Sequence, residues 1–488
     1  VSKKLPDVIQ SNKNFPYNIS YEDLDLNIIS GSFTLKNIYL SPKDSSSNDI
    51  QKGAFGKVKA LKLKNFSLWK FLREDRINVK RVIIIEPDIT LFHREKKYNK
   101  NEDIDPLKNA ITTERVIIEK GKFRMLDSLQ NFIAKASNIN FELNNITIDS
   151  TSIEENLPLR YRDYKLQCDS LFYQAGKEYH ITVDALNTTD STVSATNFQL
   201  VPEKSRIAFS RSLPKEKDQF RVTVAKIDIP NADWGFVNDT FYLHTPEAVL
   251  NQVNAVIYRP KMPADDLSIK KLYSQSLREL DFDLKVDKLL LKDSFLQYEE
   301  QQEYERDAAK INFSKFNATV TNIHSPVNKK DIPPTVIDVN CLFMKSAPLK
   351  VQWSFSITDV SDSFTINGHL TNLNTSLLNP MSGPLMNVKT SGNISEVIFN
   401  FNGNKHTSTG TFSIKYDDLQ VEILKSDGKD KNKFMSFVGN LIAKSDTKGD
   451  LKKVNPSVER DKTKSVFNFL WRFIQDGLKQ TILPGILT

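Results

Sequence analysis

VKALKLKNFSLWKFL (residues 58–72) and RVIIIEPDITLFHR (residues 81–94) decide the fold of this 488-residue chain, because the chain repeats them. Residues 222–259 carry VTVAKIDIPNADWGFV and VLNQVNAVIYR in the same order, and Trp69 and Trp234 stand at matching places, 165 residues apart. Both copies alternate apolar and polar residues with a period of two, which is typical of β-strands. The repeated unit is therefore predicted to consist of strands.

The match between the two copies continues downstream. RVIIEKGKFRML (115–126) corresponds to KLLLKDSFLQYEE (288–300), and AKASNINFELNNITI (134–148) corresponds to AKINFSKFNATVTNI (309–323). A unit of roughly 170 residues that recurs in tandem is typical of a chain that grows along one axis. We therefore expect a mainly β protein with an elongated, curled antiparallel sheet, open as a groove or half-pipe. Short helices and a C-terminal amphipathic helix complete the predicted fold.

The repeat and shifts in composition divide the chain into six predicted sections. They are an N-terminal helix with the first strands (1–54), β-groove repeat 1 (55–215), β-groove repeat 2 (216–330), a C-terminal β section (331–424), a basic linker (425–464) and the amphipathic helix (465–485). The hydrophobic fraction is 39%, below the roughly 45–50% of ordinary globular chains. A sheet with one solvated face needs less apolar material, so the composition fits an open sheet.

The net charge of +7 is concentrated near the C-terminus. Residues 425–472 hold twelve Lys and Arg against six Asp and Glu, which leaves the rest of the chain near neutral. A general nucleic-acid binder would carry its basic surface on the folded body, so we expect no nucleic-acid partner. No run of 18 apolar residues is present, but the chain starts at Val1, and we expect a signal or membrane anchor upstream.

Strand alternation identifies candidate residues for an apolar inner face. In VQWSFSI the apolar side chains alternate with Gln352, Ser354 and Ser356, so they share one side of the strand. The same parity in the first copy marks two further positions. The predicted groove-lining residues are Val351, Trp353, Phe355, Ile357, Phe141 and Leu143.

The C-terminal segment KSVFNFLWRFIQDGLKQTILPG shows the period of an amphipathic helix. Its predicted apolar face consists of Phe467, Leu470, Trp471, Ile474, Leu478 and Ile482. Such a helix either lies on a membrane interface or a partner surface, or covers the open edge of the last sheet. The sequence leaves both interpretations open.

Motifs for catalysis or metal binding are missing from the sequence. It lacks HExxH, CxxC, Walker A, GxGxxG and GxSxG, and its six His are scattered without metal-ligand spacing. We therefore expect a non-enzymatic protein without a cofactor or metal. Cys168 and Cys341 are 173 residues apart, which matches the repeat, so we interpret them as small buried hydrophobic residues rather than disulfide partners.

Four parts of the chain together resemble a known family. They are the start (5–42), the two units that end in LFHR (91–94) and IYRPKMP (257–263), the closing strands (348–424) and the ending SVFNFLWRFIQDGLKQTILPG (465–485). In this order they are similar to AsmA-like proteins of the Gram-negative cell envelope. The resemblance implies an inner-membrane helix upstream of Val1, a periplasmic body, and a repeating β-groove that carries lipid.

The resemblance and the residue pattern lead to the same functional expectation. An apolar groove keeps acyl chains out of water, which is worth about 0.8 kcal/mol for each buried CH₂ group. We expect a protein that holds or conducts lipid acyl chains between membranes, with membrane lipids, phospholipid above all, as partners. The alternative is an envelope scaffold or assembly factor that supports outer-membrane protein biogenesis, with envelope proteins as partners and a filled interior.

Overall fold

The computed structural model describes residues 17–27, 30–43, 53–66, 78–92, 111–148, 159–237, 240–325, 331–424 and 446–482. The chain forms two compact units, residues 1–199 (unit 1) and 200–488 (unit 2). Both units are built mainly from β-strands. Any N-terminal helix before Tyr17 lies outside the described residues.

Unit 1 contains one open sheet. Its strands are β1 Tyr17–Ser20, β2 Asp23–Asn27, β3 Ser32–Pro42, β4 Gly53–Phe66, β5 Asn78–Phe92, β6 Ile111–Leu126, β7 Phe132–Ile148, β8 Asp163–Ala175 and β9 Tyr179–Thr189, and β10 Thr192–Pro202 runs across the unit boundary. β3 pairs with β1, β2 and β4, and from β4 to β9 each strand pairs with the next one along the chain.

Unit 2 repeats this plan and extends it. Its strands are β11 Gln219–Pro230, β12 Asp233–Val237, β13 Thr240–Thr245, β14 Ala248–Pro260, β15 Asp283–Gln301, β16 Ala309–His324, β17 Thr335–Phe343, β18 Ala347–Phe355, β19 Phe364–Asn374, β20 Val388–Gly403, β21 Thr407–Ile423, β22 Lys452–Val454 and β23 Ser457–Glu459. β11 pairs with β14 and β12 with β13. β15 pairs with both β13 and β14, and the order then follows the chain to β21.

The described helices are few and short. They are α1 Arg206–Ser212, α2 Tyr273–Arg278, α3 Asn379–Met386, which follows a 3₁₀ turn at Thr375–Leu378, and α4 Val466–Ile482. The predicted mainly β fold with an open sheet, short helices and a C-terminal helix is therefore confirmed.

The predicted antiparallel pairing is wrong at three places, because the sheet is mixed. β5 pairs with β6 in parallel, and β15 is parallel to both β13 and β14. Parallel neighbours require a connection that returns the chain to the same end of the sheet. Residues 261–282, which contain α2, provide the connection between β14 and β15, whereas residues 93–110, between β5 and β6, lie outside the described residues.

The backbone confirms the sequence repeat. In both copies an antiparallel pair is followed by a parallel pair and then by another antiparallel pair. Five matched pairs of non-glycine residues adopt the left-handed conformation, with φ between 46° and 58°. They are Asn65 and Asn231, Glu86 and Gln252, Lys120 and Asp293, Asn138 and Lys315, and Asn145 and Asn322. The strand register shows that β4 and β11 are equivalent strands whose matching residues are 166 positions apart. This offset is one residue larger than the 165 residues between Trp69 and Trp234.

One hydrogen-bond arrangement recurs at these left-handed positions. The backbone N–H of Lys120 donates to Asn140 Oδ1 at 3.1 Å, and Asn140 Nδ2 donates to the Asn138 carbonyl at 3.0 Å. In unit 2, the Asp293 N–H donates to Asn317 Oδ1 at 3.0 Å, and Asn317 Nδ2 donates to the carbonyl of Lys315 at 2.9 Å. The side-chain amide thus satisfies backbone groups where the strand ladder is interrupted.

Candidate functional site: an apolar sheet face

Directly paired residues on neighbouring strands point to the same side of a sheet, and in unit 1 two such rows are almost entirely apolar. The first row is Leu24, Leu35, Leu61, Ile84, Ile118, Phe141 and Leu166, on β2 to β8. The second, two residues along each strand, is Leu26, Phe33, Leu63, Val82, Val116, Leu143 and Tyr164. We call this side the apolar face.

Unit 2 carries the equivalent rows. One is Ile227, Leu250, Leu291, Ala318, Val339, Val351, Gly368, Phe399 and Phe412. The other is Ala248, Leu289, Val320, Ile337, Trp353, Ile366, Phe401 and Gly410. The apolar face of unit 2 therefore crosses every strand from β14 to β21.

The opposite side of the unit 1 sheet is largely polar. A row of paired residues there consists of Lys64, Arg81, Arg115, Asn144 and Asp163. The neighbouring row contains Lys62, Ile83, Ile117, Glu142 and Lys165, and Arg115 forms an ion pair with Glu142 at 3.2 Å. The sheet is therefore amphipathic, with one side suited to water and the other to apolar material.

The left-handed residues keep the apolar face continuous where simple alternation would break it. In β6 the residues on the apolar face have even numbers before Lys120, namely Val116 and Ile118. After Lys120 they have odd numbers, namely Gly121 and Phe123. A Cβ placed on Gly121 would touch Ile118 and Pro87, so these residues lie on the same side. Each left-handed residue thus shifts the alternation by one position.

At the end of unit 2 the apolar face is covered by helices. The ring centroid of Phe401 lies 5.2 Å from that of Phe469 and 4.9 Å from that of Phe473, both on α4. Trp353 on β18 packs against Tyr273 of α2 at 5.2 Å. Phe401 is fully buried here. Strands β18 to β21 therefore form a filled core with α4 and α2.

On the strands before β18, most members of the same rows are only half-buried, although Leu35, Leu143, Ala248 and Ala318 are buried. Leu61, Ile84 and Ile118 in unit 1, and Leu250 and Leu291 in unit 2, all keep part of their surface open. Among the described residues, the helix that covers the end of unit 2 contacts β18 and β19 through Phe467 and Phe469, and it also contacts β20 to β23. The uncovered part of the apolar face thus spans β3 to β8 in unit 1 and β14 to β17 in unit 2.

The predicted groove residues lie on this face, but not all of them line an open surface. Phe141 and Leu143 belong to the uncovered rows of unit 1. Val351 and Trp353 belong to the rows of unit 2 at the point where covering begins, and Trp353 is 8% exposed. The next two apolar residues of VQWSFSI, Phe355 and Ile357, are buried in the filled core.

The C-terminal helix covers the sheet with a face that is rotated from the predicted one. Its buried residues are Val466, Phe469, Phe473, Gly477 and Thr481. Of the predicted stripe, Leu470, Ile474, Leu478 and Ile482 pack at the edge of the core, Trp471 is half-buried and Phe467 is 59% exposed. Gly477 is not an apolar signal in the sequence, yet its missing Cβ allows the helix to approach Phe412 of the sheet closely.

The described half of the predicted basic linker is part of the fold. Residues 425–445 lie outside the described residues, but β22 and β23 pair with β21 and thereby cover part of its edge. Lys464 and Lys261 both form ion pairs with Glu216, at 3.7 and 2.6 Å, and the Glu216 side chain is 5% exposed. These cations therefore stabilise the fold.

A polar cleft of about 500 Å³ contains Arg206 and Glu299, but these two form a bidentate pair with both contacts at 2.8 Å. No group of three His, Cys, Asp or Glu that could hold a metal occurs among the residues described. Cys168 and Cys341 are free and buried, and burial raises the pKa of Cys341 to about 11.

Sequence reasoning missed most of the apolar face. The residues it did not identify include Leu35, Leu61, Ile84, Ile118 and Leu166. A usable signal was present: apolar alternation that jumps by one position at a polar doublet, as at Glu119-Lys120 in β6.

Models of known protein families do not match this sequence, and neither does any curated protein. Among the helices that the structure describes, none combines the length and apolar character needed to cross a membrane. The geometry of the apolar face is therefore the basis for a functional proposal.

Proposed function

We propose that this protein holds or conducts lipid acyl chains on the uncovered part of its apolar face. The observation that carries the proposal is the pair of apolar rows that cross β3 to β8 without a covering helix among the described residues. Contiguous apolar surface of this extent on a water-exposed protein marks a binding surface.

Acyl chains fit this surface better than a ligand with many polar groups. The rows contain aliphatic and aromatic side chains, and the charged rows lie on the other side of the sheet. A surface without directed polar groups binds by burial alone, at about 0.8 kcal/mol per CH₂ group, and tolerates movement along its length. Phospholipid, with its head group left in water, is the proposed occupant. No catalytic step, cofactor or metal forms part of this proposal.

The cell-envelope setting is part of the same proposal. It rests on the resemblance to AsmA-like proteins, which implies a periplasmic body and an inner-membrane anchor. A carrier of acyl chains between membranes needs a long apolar surface on which the chains are shielded from water, and the repeated rows of the two units supply apolar surfaces of this kind once lipid covers them.

An assembly or scaffold factor is the second candidate function. The filled core of β18 to β21 favours it, because there the apolar face is used for packing. This candidate requires the remaining apolar face to be covered by protein partners rather than lipid.

The test compares two double variants of adjacent residues on the same two strands. Ile84→Gln with Ile118→Gln changes a directly paired couple on the apolar face, whereas Ile83→Gln with Ile117→Gln changes the directly paired couple on the polar side. Lipid would be extracted from gently purified protein and quantified by mass spectrometry. Thermal unfolding would show that each variant folds.

We expect bound phospholipid in the wild type. The apolar-face variant should contain at least about fivefold less phospholipid, because each buried amide without a hydrogen-bond partner costs about 1–3 kcal/mol. The polar-side variant should retain its lipid. Lipid-free wild-type protein, or equal loss in the two variants, would refute the acyl-chain proposal and favour the scaffold.

A further inference from the structure

We propose that a charged row at the edge of the unit 2 apolar face is a head-group subsite that prefers phospholipids with a primary amine, such as phosphatidylethanolamine. The inference deepens the proposed function and rests on it, because it names the lipid class that the acyl-chain surface holds. We call the site the amine subsite. It consists of Asp218, Arg259, Tyr298, Glu300 and Gln302, all in unit 2.

The apolar face of unit 2 leads directly to the amine subsite. The left-handed residues Gln252 and Asp293 shift the alternation of β14 and β15 by one position, as Lys120 does in β6. Beyond them, one apolar row of directly paired residues is Val222, Ala255, Leu296, Phe313 and Phe343. The next row, closer to the strand ends, is Phe220, Ile257, Tyr298 and Ile311.

Arg259 and Glu300 continue the same side of the sheet. They are directly paired across β14 and β15, and each stands two residues beyond a member of the last apolar row, Ile257 or Tyr298. The surface therefore changes from apolar to charged within one step along each strand. A phospholipid has the same order of groups, since a charged head group follows its acyl chains.

Arg259 is held in place with donor capacity left over. Its Nε and Nη2 donate to the two carboxylate oxygens of Asp218, at 2.7 and 2.8 Å, and the two side chains are 24% and 23% exposed. Within the described part of the chain, Nη1 of Arg259 donates to no group. It can therefore donate to a phosphate oxygen. Every phospholipid carries a phosphate, so Arg259 binds without distinguishing head groups.

Glu300 distinguishes head groups by its charge. Its carboxylate accepts hydrogen bonds from the Tyr298 hydroxyl at 2.8 Å and from Gln302 Nε2 at 2.7 Å. Burial raises the pKa of Tyr298, and the neighbouring Glu300 charge raises it further, so the hydroxyl stays protonated and donates. Both donors are neutral, and Glu300 forms no ion pair with the residues that the structure describes. Its negative charge is therefore left for a ligand.

An ammonium group answers this charge, and an anionic head group does not. In phosphatidylethanolamine the phosphate and the ammonium are joined by a short linker, so they can lie beside the directly paired Arg259 and Glu300. Phosphatidylglycerol carries the phosphate without a cation, and its charge would meet the Glu300 carboxylate with repulsion. The amine subsite should therefore select the first lipid over the second.

The experiment measures which phospholipid the full chain takes up. Delipidated protein is incubated with an equimolar mixture of phosphatidylethanolamine and phosphatidylglycerol with identical acyl chains, and bound lipid is quantified by mass spectrometry. The variant is Glu300→Gln, which keeps the shape of the side chain and removes its charge. The control is Glu303→Gln, the same change at an exposed residue of the following turn.

We expect the wild type and the control to prefer phosphatidylethanolamine about fivefold, which is the size that one partly exposed ion pair supports. Glu300→Gln should take up the two lipids in about equal amounts, with total lipid unchanged. Acetylation of the lipid amine removes its positive charge, so it should abolish the preference of the wild type without any change to the protein.

Total lipid and lipid ratio separate this inference from the proposed function. A wild type that takes up both lipids equally, a Glu300→Gln variant that keeps the preference, or a preference that survives acetylation would overturn the amine subsite and leave the acyl-chain proposal standing. A wild type that takes up neither lipid would overturn the acyl-chain proposal and the amine subsite with it.

Discussion

At the scale of single residues, small side chains determine how closely α4 approaches the sheet. Gly477 faces the ring of Phe412, and a Cβ at this position would overlap that ring. On the sheet side, Gly410 lies against Phe473 of the helix. Both phenylalanines are fully buried, so the glycines provide the space in which aromatic rings fill the core without a gap.

Replacing Gly477 with Ala should therefore lower the free energy of unfolding by about 1–3 kcal/mol, because an extra methyl group overpacks a filled core. Gly383 in α3 provides the matched control, since a Cβ there meets nothing within 4 Å. Gly383→Ala should change stability by less than about 1 kcal/mol, because the gain in helix propensity is opposed by Pro384, which disfavours the helical conformation of a preceding residue that has a Cβ. Urea unfolding followed by circular dichroism measures both. Equal effects of the two substitutions would show that α4 does not pack as closely as described.

At the scale of the strand, left-handed residues are what allow long strands to keep one apolar side. β15 has 19 residues and β7 has 17, and their register shifts occur beside Asp293 and Asn138. An L-residue in this conformation costs roughly 1–2 kcal/mol. The recurrence of the conformation at five matched positions indicates that the strand geometry, rather than the identity of the residue, requires it.

Asp293→Gly should consequently leave stability unchanged or raise it by up to about 1 kcal/mol, because glycine adopts positive φ without steric cost. The neighbouring Lys292 is also exposed but extended, and Lys292→Gly should lower stability by about 0.5–1 kcal/mol. The midpoints of urea unfolding give the comparison. Two equally destabilising glycines would argue against a left-handed residue at Asp293.

At the scale of the whole molecule, burial is distributed unevenly. The largest fully buried side chains, among them Phe401, Phe412, Tyr416 and Phe473, belong to the filled core of unit 2. In unit 1 the apolar rows are mostly half-buried, with Leu35 and Leu143 as the most covered members. Local stability follows the density of buried apolar contacts, so the two units should open at different rates.

Hydrogen exchange on the full chain tests this expectation. Amides of β20 and β21 should exchange slowest, and those of β4 to β7 faster. Removal of bound lipid should accelerate exchange in β3 to β8 and in β14 to β17, because a ligand stabilises the surface it binds, while β20 and β21 stay unchanged. Uniform exchange, or acceleration confined to β20 and β21, would contradict the division into covered and uncovered parts.

The amino-acid sequence alone determined four properties: the β-class, the tandem repeat, the matching positions of Cys168 and Cys341 in the repeat, and the absence of known catalytic motifs. These properties are local or periodic. Alternation with period two marks a strand wherever it occurs, and a repeated string marks a repeated unit. Phe141, Leu143, Val351 and Trp353 were found in this way because they lie between interruptions of the alternation.

Only the tertiary structure decided which apolar residues stay open and which are packed. Phe355 and Trp353 have the same pattern in sequence as Phe141, but α4 and α2, which are distant along the chain, cover them. The parallel pairs and the shift of alternation at each left-handed residue also depend on partners in other strands. Coverage and register are properties of pairs of segments, so a periodicity read along one segment does not contain them.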